Sequence, residues 1–450
     1  MKQWTDAEVR GALGLGGSGA AQRFTGIATD TRNLAPGSLF VALTGERFDA
    51  HDFLADAAWA GASAAVVRAG TPPVAALPFY EVPDPLHALG ELARFRRGLV
   101  TGPVVAITGT NGKTSTKEML ATALGTRYRT HATRINLNNL VGVPLTILES
   151  AADTEALVIE AGANQPGEIA RHREVIAPSV AVVTNVAAGH LEGFGSGEGV
   201  LYEKLALTDG VPLVVVGTEP GALAMLARQR ARRVITAGLA NADRTPTRVE
   251  LLDDGRPRVT VGTRSFVLPA RGRHQAANAM LAWAVCEALG LDLDRVASAL
   301  GDVRLPGGRG ELLRFGRISV LNDSYNANPA SFRTAIELAR SLRGDRRLVF
   351  VAGTMRELGE AGPALHAEIA SLLVALNPDL LGAVGDFVTA LEPYRSVLGE
   401  RLITAPDVPA LGAALSARLA GDELVVLKAS RGVALERLLP DLARHGPPSA

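Results

Sequence analysis

The feature that most constrains the fold is a repeated grammar: a short apolar run, a polar or Gly-rich cluster, then a helix-like stretch. VVAIT (104–108), ALVIE (156–160) and VAVVT (180–184) follow it. After a break at LPGGRGE (305–311) it restarts with ISVLN (318–322), LVFVAG (348–353), LLGAVG (380–385) and ELVVLK (423–428). Short apolar runs alternating with helices predict parallel strands buried on both faces, joined by helical crossovers. The expected fold is α/β in three domains: a central doubly wound, mostly parallel P-loop sheet with a smaller α/β domain at each end. The expected boundaries are 1–98, 99–308 and 309–450. In an open parallel sheet, ligands bind beyond the carboxyl ends of the strands. Polar clusters placed just after the apolar runs therefore gather along one rim.

The sharpest cluster is ITGTNGKTST (107–116). A strand leads into a glycine-rich loop, and Gly112-Lys113-Thr114 opens a helix. Backbone N–H groups of such a loop cradle phosphate oxygens. Lys113 would hold the outer phosphates, and Thr114 would offer a hydroxyl to Mg²⁺. The spacing departs from the common P-loop, because Gly109 stands two residues closer to Gly112. ATP binding follows from this loop; the reaction does not. Glu160 ends ALVIE, where a carboxylate suits Mg²⁺ beside substrate phosphates. The bland alternative is a helix cap. His190 follows another apolar run and suits a metal or a proton, with a surface histidine as the alternative. His274 and Asn278 lie four apart on one predicted helix face.

Composition narrows the rest. The 450 residues carry 46 Lys+Arg against 46 Asp+Glu, so there is no net positive field to attract nucleic acid or an anionic membrane. No apolar stretch approaches the roughly 18 residues of a spanning helix. The opening MKQWTDAEVRGALGLGG lacks a signal-type apolar core. The one cysteine, Cys286, has no internal disulfide partner and reads as a small core residue. The expectation is a cytoplasmic, monomeric enzyme. Lysine occurs only at Lys2, Lys113, Lys117, Lys204 and Lys428, with arginine nearly everywhere else. An ammonium can lose its proton and react, whereas a guanidinium cannot. Lys204, on a predicted helix fourteen residues beyond His190, is one of the five, and its bland reading is an exposed helix lysine. Lys428 and Arg431 follow the last strong strand, where two cations could meet phosphate or carboxylate.

The segments ITGTNGKTSTKEM, NLNNLVGVPLTIL (136–148), EAGANQPGEI (160–169), HLEGFGS (190–196), GRHQAANA (272–279), NDSYNANPASF (322–332), MRELGE (355–360) and KASRG (428–432) resemble the Mur ligase family, in the family's order. ATDTRNLAPGSLFVALTGERFDAHDF (28–53) resembles its uridine-nucleotide segment. The resemblance implies an ATP-dependent ligase forming an amide bond through an acyl phosphate, with ATP and Mg²⁺. The implied substrates are a UDP-N-acetylmuramoyl-tripeptide and D-alanyl-D-alanine. It implies that Gly109, Thr110, Asn111, Gly112, Lys113, Thr114, Ser115, Asn278, Arg309 and Asp323 bind ATP. Thr114, Glu160 and His190 would hold metal, joined by Lys204 if that amine is carbamylated. Thr31, Arg32, Asn138, Asn139, Asn326, Asn328, Lys428 and Arg431 would face the other substrates. Lys113, Glu160, His190 and Lys204 form the implied catalytic set. Relatives commonly have an aspartate where this chain has Thr354. The alternatives are a relative that adds a diamino acid to a shorter muramoyl peptide or glutamate to a folate, and a P-loop NTPase or binding module.

Overall fold

The computed structural model describes residues 3–17, 22–45, 47–75, 77–187, 189 and 191–445. His190 therefore lies outside the described residues.

The central sheet has six strands. Their order is Val234–Thr236, Leu213–Val216, Val180–Val183, Val104–Thr108, Ala156–Glu160, Thr130–Ala132, and every neighbouring pair is parallel. From Val104–Thr108 the chain runs out to one edge, returns, and then builds the other half. The switch point lies beside this strand, where such sheets bind ligands. Successive residues of the strand enter different cores. Val104 and Ala106 belong to the same core as Leu89 and Leu92 of helix Pro85–Gly98. Val105 and Ile107 pack with Leu120 and Met280, on helices Lys113–Leu124 and Arg273–Ala288. Burial on both faces explains why the strand is a continuous apolar run.

Toward the N-terminus, four parallel strands form a smaller sheet: Ile27–Ala28, Leu39–Val41, Ala64–Arg68 and Phe79–Val82. Toward the C-terminus, six strands run in the order Glu311–Phe315, Ile318–Asp323, Leu424–Lys428, Leu348–Ala352, Leu380–Val384, Leu402–Ala405. The first pair is an antiparallel hairpin and the rest is parallel. The expected α/β class with a parallel central sheet is thus the observed one.

The strand–helix grammar did not anticipate the antiparallel pairings, the largest of which follows the last strand of the central sheet. Arg248–Leu251, Pro257–Val261 and Arg264–Val267 form a three-stranded antiparallel sheet. Phe266 of that sheet stacks on Trp283 with ring centroids 5.9 Å apart, which docks it on helix Arg273–Ala288. No described helix is long and apolar enough to cross a membrane.

Candidate active site

Gly109 follows strand Val104–Thr108 at φ +141, where a Cβ would collide with Thr184 Oγ1 and neighbouring backbone. Only glycine permits that approach. Thr184 Oγ1 in turn donates to Asn111 O at 2.6 Å. Asn185 Oδ1 accepts from Asn111 N at 3.0 Å. Gly112, at φ +81, caps helix Lys113–Leu124 without a side-chain hydrogen bond, leaving first-turn N–H groups to face the loop. Buried Asn278 lies so close to Gly112 that a Cβ there would strike its Oδ1. Ser115 is buried in the same turn.

Lys113 Nζ donates to Gly109 O (2.8 Å) and Thr110 O (3.1 Å), curling over its own loop. Burial pushes its pKa below the ordinary lysine value, the Glu160 carboxylate opposes that shift, and Arg309 adds to it. Thr114 Oγ1 donates to Glu160 Oε2 at 2.9 Å. Glu160 Oε1 accepts from Asn138 Nδ2 at 2.9 Å, and Glu160 N donates to Thr133 Oγ1 at 2.9 Å. Arg309 Nη2 reaches across to donate to Thr114 Oγ1 at 3.0 Å. Lys113, Thr114, Glu160, Asn138 and Arg309 therefore share one rim of the central sheet.

The C-terminal sheet supplies the facing wall. Asn111 and Asn328 exchange amide hydrogen bonds of 3.3 and 2.7 Å. Asn328 also caps helix Pro329–Arg343. Lys428 is buried, donating to Asp323 Oδ2 (2.6 Å) and Asn326 O (2.8 Å). Of the partners foreseen for it, a carboxylate is what it meets. Asp323 Oδ1 accepts from Gly310 N at 3.1 Å. Arg431 faces Tyr325.

Lys204 is 1% exposed, not a solvated helix lysine. Its ammonium lies over the Phe194 ring, 5.7 Å from the centroid. Burial, with help from the Lys113 charge, brings its pKa down to about 7. That shift brings the neutral amine, the form that reacts with an electrophile, within reach near physiological pH. The adjacent Glu203 accepts from Gly167 N and Ile169 N, each at 2.8 Å.

Other expected residues stand apart. Thr31 and Arg32 lie beyond strand Ile27–Ala28, and Arg32 pairs with Asp30 at 2.6 Å. Among the described residues no hydrogen bond or ion pair joins either to the phosphate loop. Asn139 accepts from Val141 N and Gly142 N, a local turn. Sequence reasoning missed Thr133, Asn185 and Tyr325. Asn185 was findable, since it too follows an apolar run.

The donor set suits a hard cation. Thr114 and Glu160 present oxygens only, and among the described residues no three His, Cys, Asp or Glu side chains form a metal cage. Magnesium is typically held by one or two carboxylates together with substrate phosphates.

Residues 107–286 match the Mur ligase middle domain, residues 308–431 the Mur ligase glutamate ligase domain, and residues 23–97 the Mur ligase family catalytic domain. A UDP-N-acetylmuramoyl-tripeptide–D-alanyl-D-alanine ligase of Bacillus subtilis is 34% identical, covering 93% of each chain. The ligase of that name from Escherichia coli is 36% identical, covering 95% of this chain and 96% of its own. The crystal structure of MurF from Acinetobacter baumannii superposes with a TM-score of 0.89 at 29% identity, covering 98% and 99%. MurF ligase from Thermotoga maritima in complex with ADP gives 0.82 at 26% identity, covering 93% and 97%. The chain belongs to the Mur ligase family. It is an ATP-dependent ligase that forms an amide bond.

Proposed function

We propose that this ligase joins D-alanyl-D-alanine to UDP-N-acetylmuramoyl-tripeptide in peptidoglycan precursor synthesis, working as a cytoplasmic monomer. The observation that carries the reading is the meeting of the Lys113 loop, Thr114, Glu160 and Arg309 on one rim. The names of the near-full-length relatives support the choice of substrates. In this reading residues 1–98 hold the UDP end, 99–308 hold ATP, and 309–450 close over nucleotide and dipeptide.

A carboxylate resists attack by an amine. The terminal carboxylate of the tripeptide therefore attacks the γ-phosphorus of ATP, giving an acyl phosphate and ADP. The free amine of D-alanyl-D-alanine then attacks the acyl carbon. The C–O bond to phosphate breaks, the amine sheds a proton, and the amide and inorganic phosphate are released. Lys113 leaves the Gly109 and Thr110 carbonyls to meet the outer phosphates, and Arg309 adds charge from the facing side. Magnesium, when bound, would neutralise phosphoryl charge; Thr114 and Glu160 would hold it, and His190 with a carbamylated Lys204 would hold a second ion. Asn278 and Asp323 would contact the rest of the nucleotide, and Asn326, Lys428 and Arg431 would meet the peptide substrates. Closure of the C-terminal wall excludes water, which would hydrolyse the acyl phosphate.

The test offers purified enzyme, UDP-muramoyl-tripeptide and ATP a panel of amines: D-alanyl-D-alanine, meso-diaminopimelate, lysine and glutamate. A mass gain equal to the dipeptide less water is expected with D-alanyl-D-alanine alone. A product with a single amino acid, or ATP hydrolysis with no acceptor needed, would overturn the reading.

A further inference from the structure

Tyr325 lies beside two guanidinium groups that reach it from different parts of the chain. The Arg309 guanidinium carbon stands 3.5 Å from its ring centroid. That of Arg431, beyond strand Leu424–Lys428, stands 5.2 Å away, with Nη1 3.4 Å from the phenolic oxygen. The backbone reinforces the first contact. Tyr325 N donates to Gly308 O at 3.1 Å, and a Cβ on Gly308 would stand 3.4 Å from Tyr325 Cβ. Tyr325 thus grips the segment before Arg309 by its main chain and Arg309 itself by its ring.

Arg309 needs such a grip. Its long side chain extends from the C-terminal segment to Thr114. Burial acts against its charge, and Lys113 is a second cation on the same rim. An aromatic face offers a guanidinium electrostatic compensation without a competing carboxylate. It also fixes the guanidinium plane, and so the directions of every N–H. One terminal nitrogen, Nη2, is committed to Thr114. Nη1 is buried and, among the described residues, makes no hydrogen bond.

We propose that Tyr325 is a positioning residue for phosphoryl transfer. Its ring face sets the plane of Arg309, so that Nη2 stays on Thr114 while Nη1 is presented to a phosphoryl oxygen of ATP. The inference rests on the reading of the Lys113 loop as the ATP site. The ring face carries the role, and the hydroxyl is secondary.

The test is full steady-state kinetics on the intact enzyme, with ATP, UDP-muramoyl-tripeptide and dipeptide varied in turn. Wild-type turnover establishes the ATP-ligase reading independently; an inactive wild type refutes that reading, not this role. Tyr325→Phe should stay within about twofold of wild type, and Tyr325→Leu should lower kcat roughly tenfold or more with KM for the muramoyl peptide unchanged. In an Arg309→Ala background, Tyr325→Leu should cost nothing further, since the ring then has nothing to aim. Because a ringless variant can fail to fold, phenylalanines of increasing fluorination at 325 provide a shape-preserving series. Activity should fall stepwise as the ring face loses its negative potential. Flat activity across that series, or losses that multiply in the Arg309→Ala background, would overturn the proposal.

Discussion

Thr114 Oγ1 and Glu160 Oε2, 46 residues apart in sequence, meet in a 2.9 Å hydrogen bond. The bond joins the first turn of the phosphate-loop helix to the carboxyl end of the neighbouring strand. It places the hydroxyl and the carboxylate suited to magnesium beside Lys113. Asn138 holds the other carboxylate oxygen, so the geometry is set from both sides.

Glu160→Gln keeps the shape and an acceptor for Asn138 but loses the charge. Activity should fall by about a hundredfold or more, with the thermal midpoint nearly unchanged. Glu160→Ala should lose activity and also stability, by about 1–3 kcal/mol, because Asn138 and Thr114 lose a buried partner. Chemical denaturation beside initial rates separates the two effects.

Lys113→Ala should abolish ATP-dependent product formation, a loss of roughly a thousandfold or more. Lys113→Arg should also fail, since the bulky planar fork does not fit the Gly109 and Thr110 carbonyl cradle that takes an ammonium. Near-normal turnover of either variant would remove Lys113 from the chemistry.

Lys204 makes a prediction in pH. Its folded pKa of about 7 lies below the ordinary 10.5. Across that window the unfolded chain binds a proton that the folded chain has shed, so this residue makes stability rise with pH from about 7 to 10.5. Lys204→Met should flatten that rise and increase stability near pH 7. The same variant should lose activity by about a hundredfold. In ¹³C-bicarbonate the wild type should show a carbamate carbon signal that Lys204→Met lacks. An unchanged stability–pH profile in the variant would show that the amine is not desolvated.

Asn328 serves two purposes that substitution can separate. Asn328→Ser keeps a cap for helix Pro329–Arg343 but loses the amide exchange with Asn111. It should keep stability within about 0.5 kcal/mol, while raising KM for ATP several-fold by loosening closure. Asn328→Ala should add a cap loss of about 1 kcal/mol. Equal KM values for Asn328→Ser and wild type would deny the amide pair a part in closure.

Local features were legible in the sequence and long-range ones were not. The phosphate loop was readable because Gly109, Gly112, Lys113 and Thr114 act within one turn of chain. Strand ends were readable because burial on both faces imposes unbroken apolar runs, and Glu160 stood at such an end. The link from Arg309 to Thr114 spans 195 residues and that from Asn111 to Asn328 spans 217. No periodicity encodes such pairs. The antiparallel sheet over Arg248–Val267 escaped notice despite its Asp254-Gly255 turn, because the helical-crossover grammar left no place for hairpins. The burial of Lys204 escaped too: the scarcity of lysine drew attention to it, but only packing turns a scarce residue into a desolvated one.

The most direct test of the account follows oxygen. UDP-muramoyl-tripeptide labelled with ¹⁸O at both oxygens of its terminal carboxylate is turned over with ATP and D-alanyl-D-alanine, and the released phosphate is weighed. The account predicts one ¹⁸O in each inorganic phosphate, one ADP per amide formed, and no phosphate without the tripeptide. Unlabelled phosphate, released at the same rate with or without the tripeptide, would contradict it.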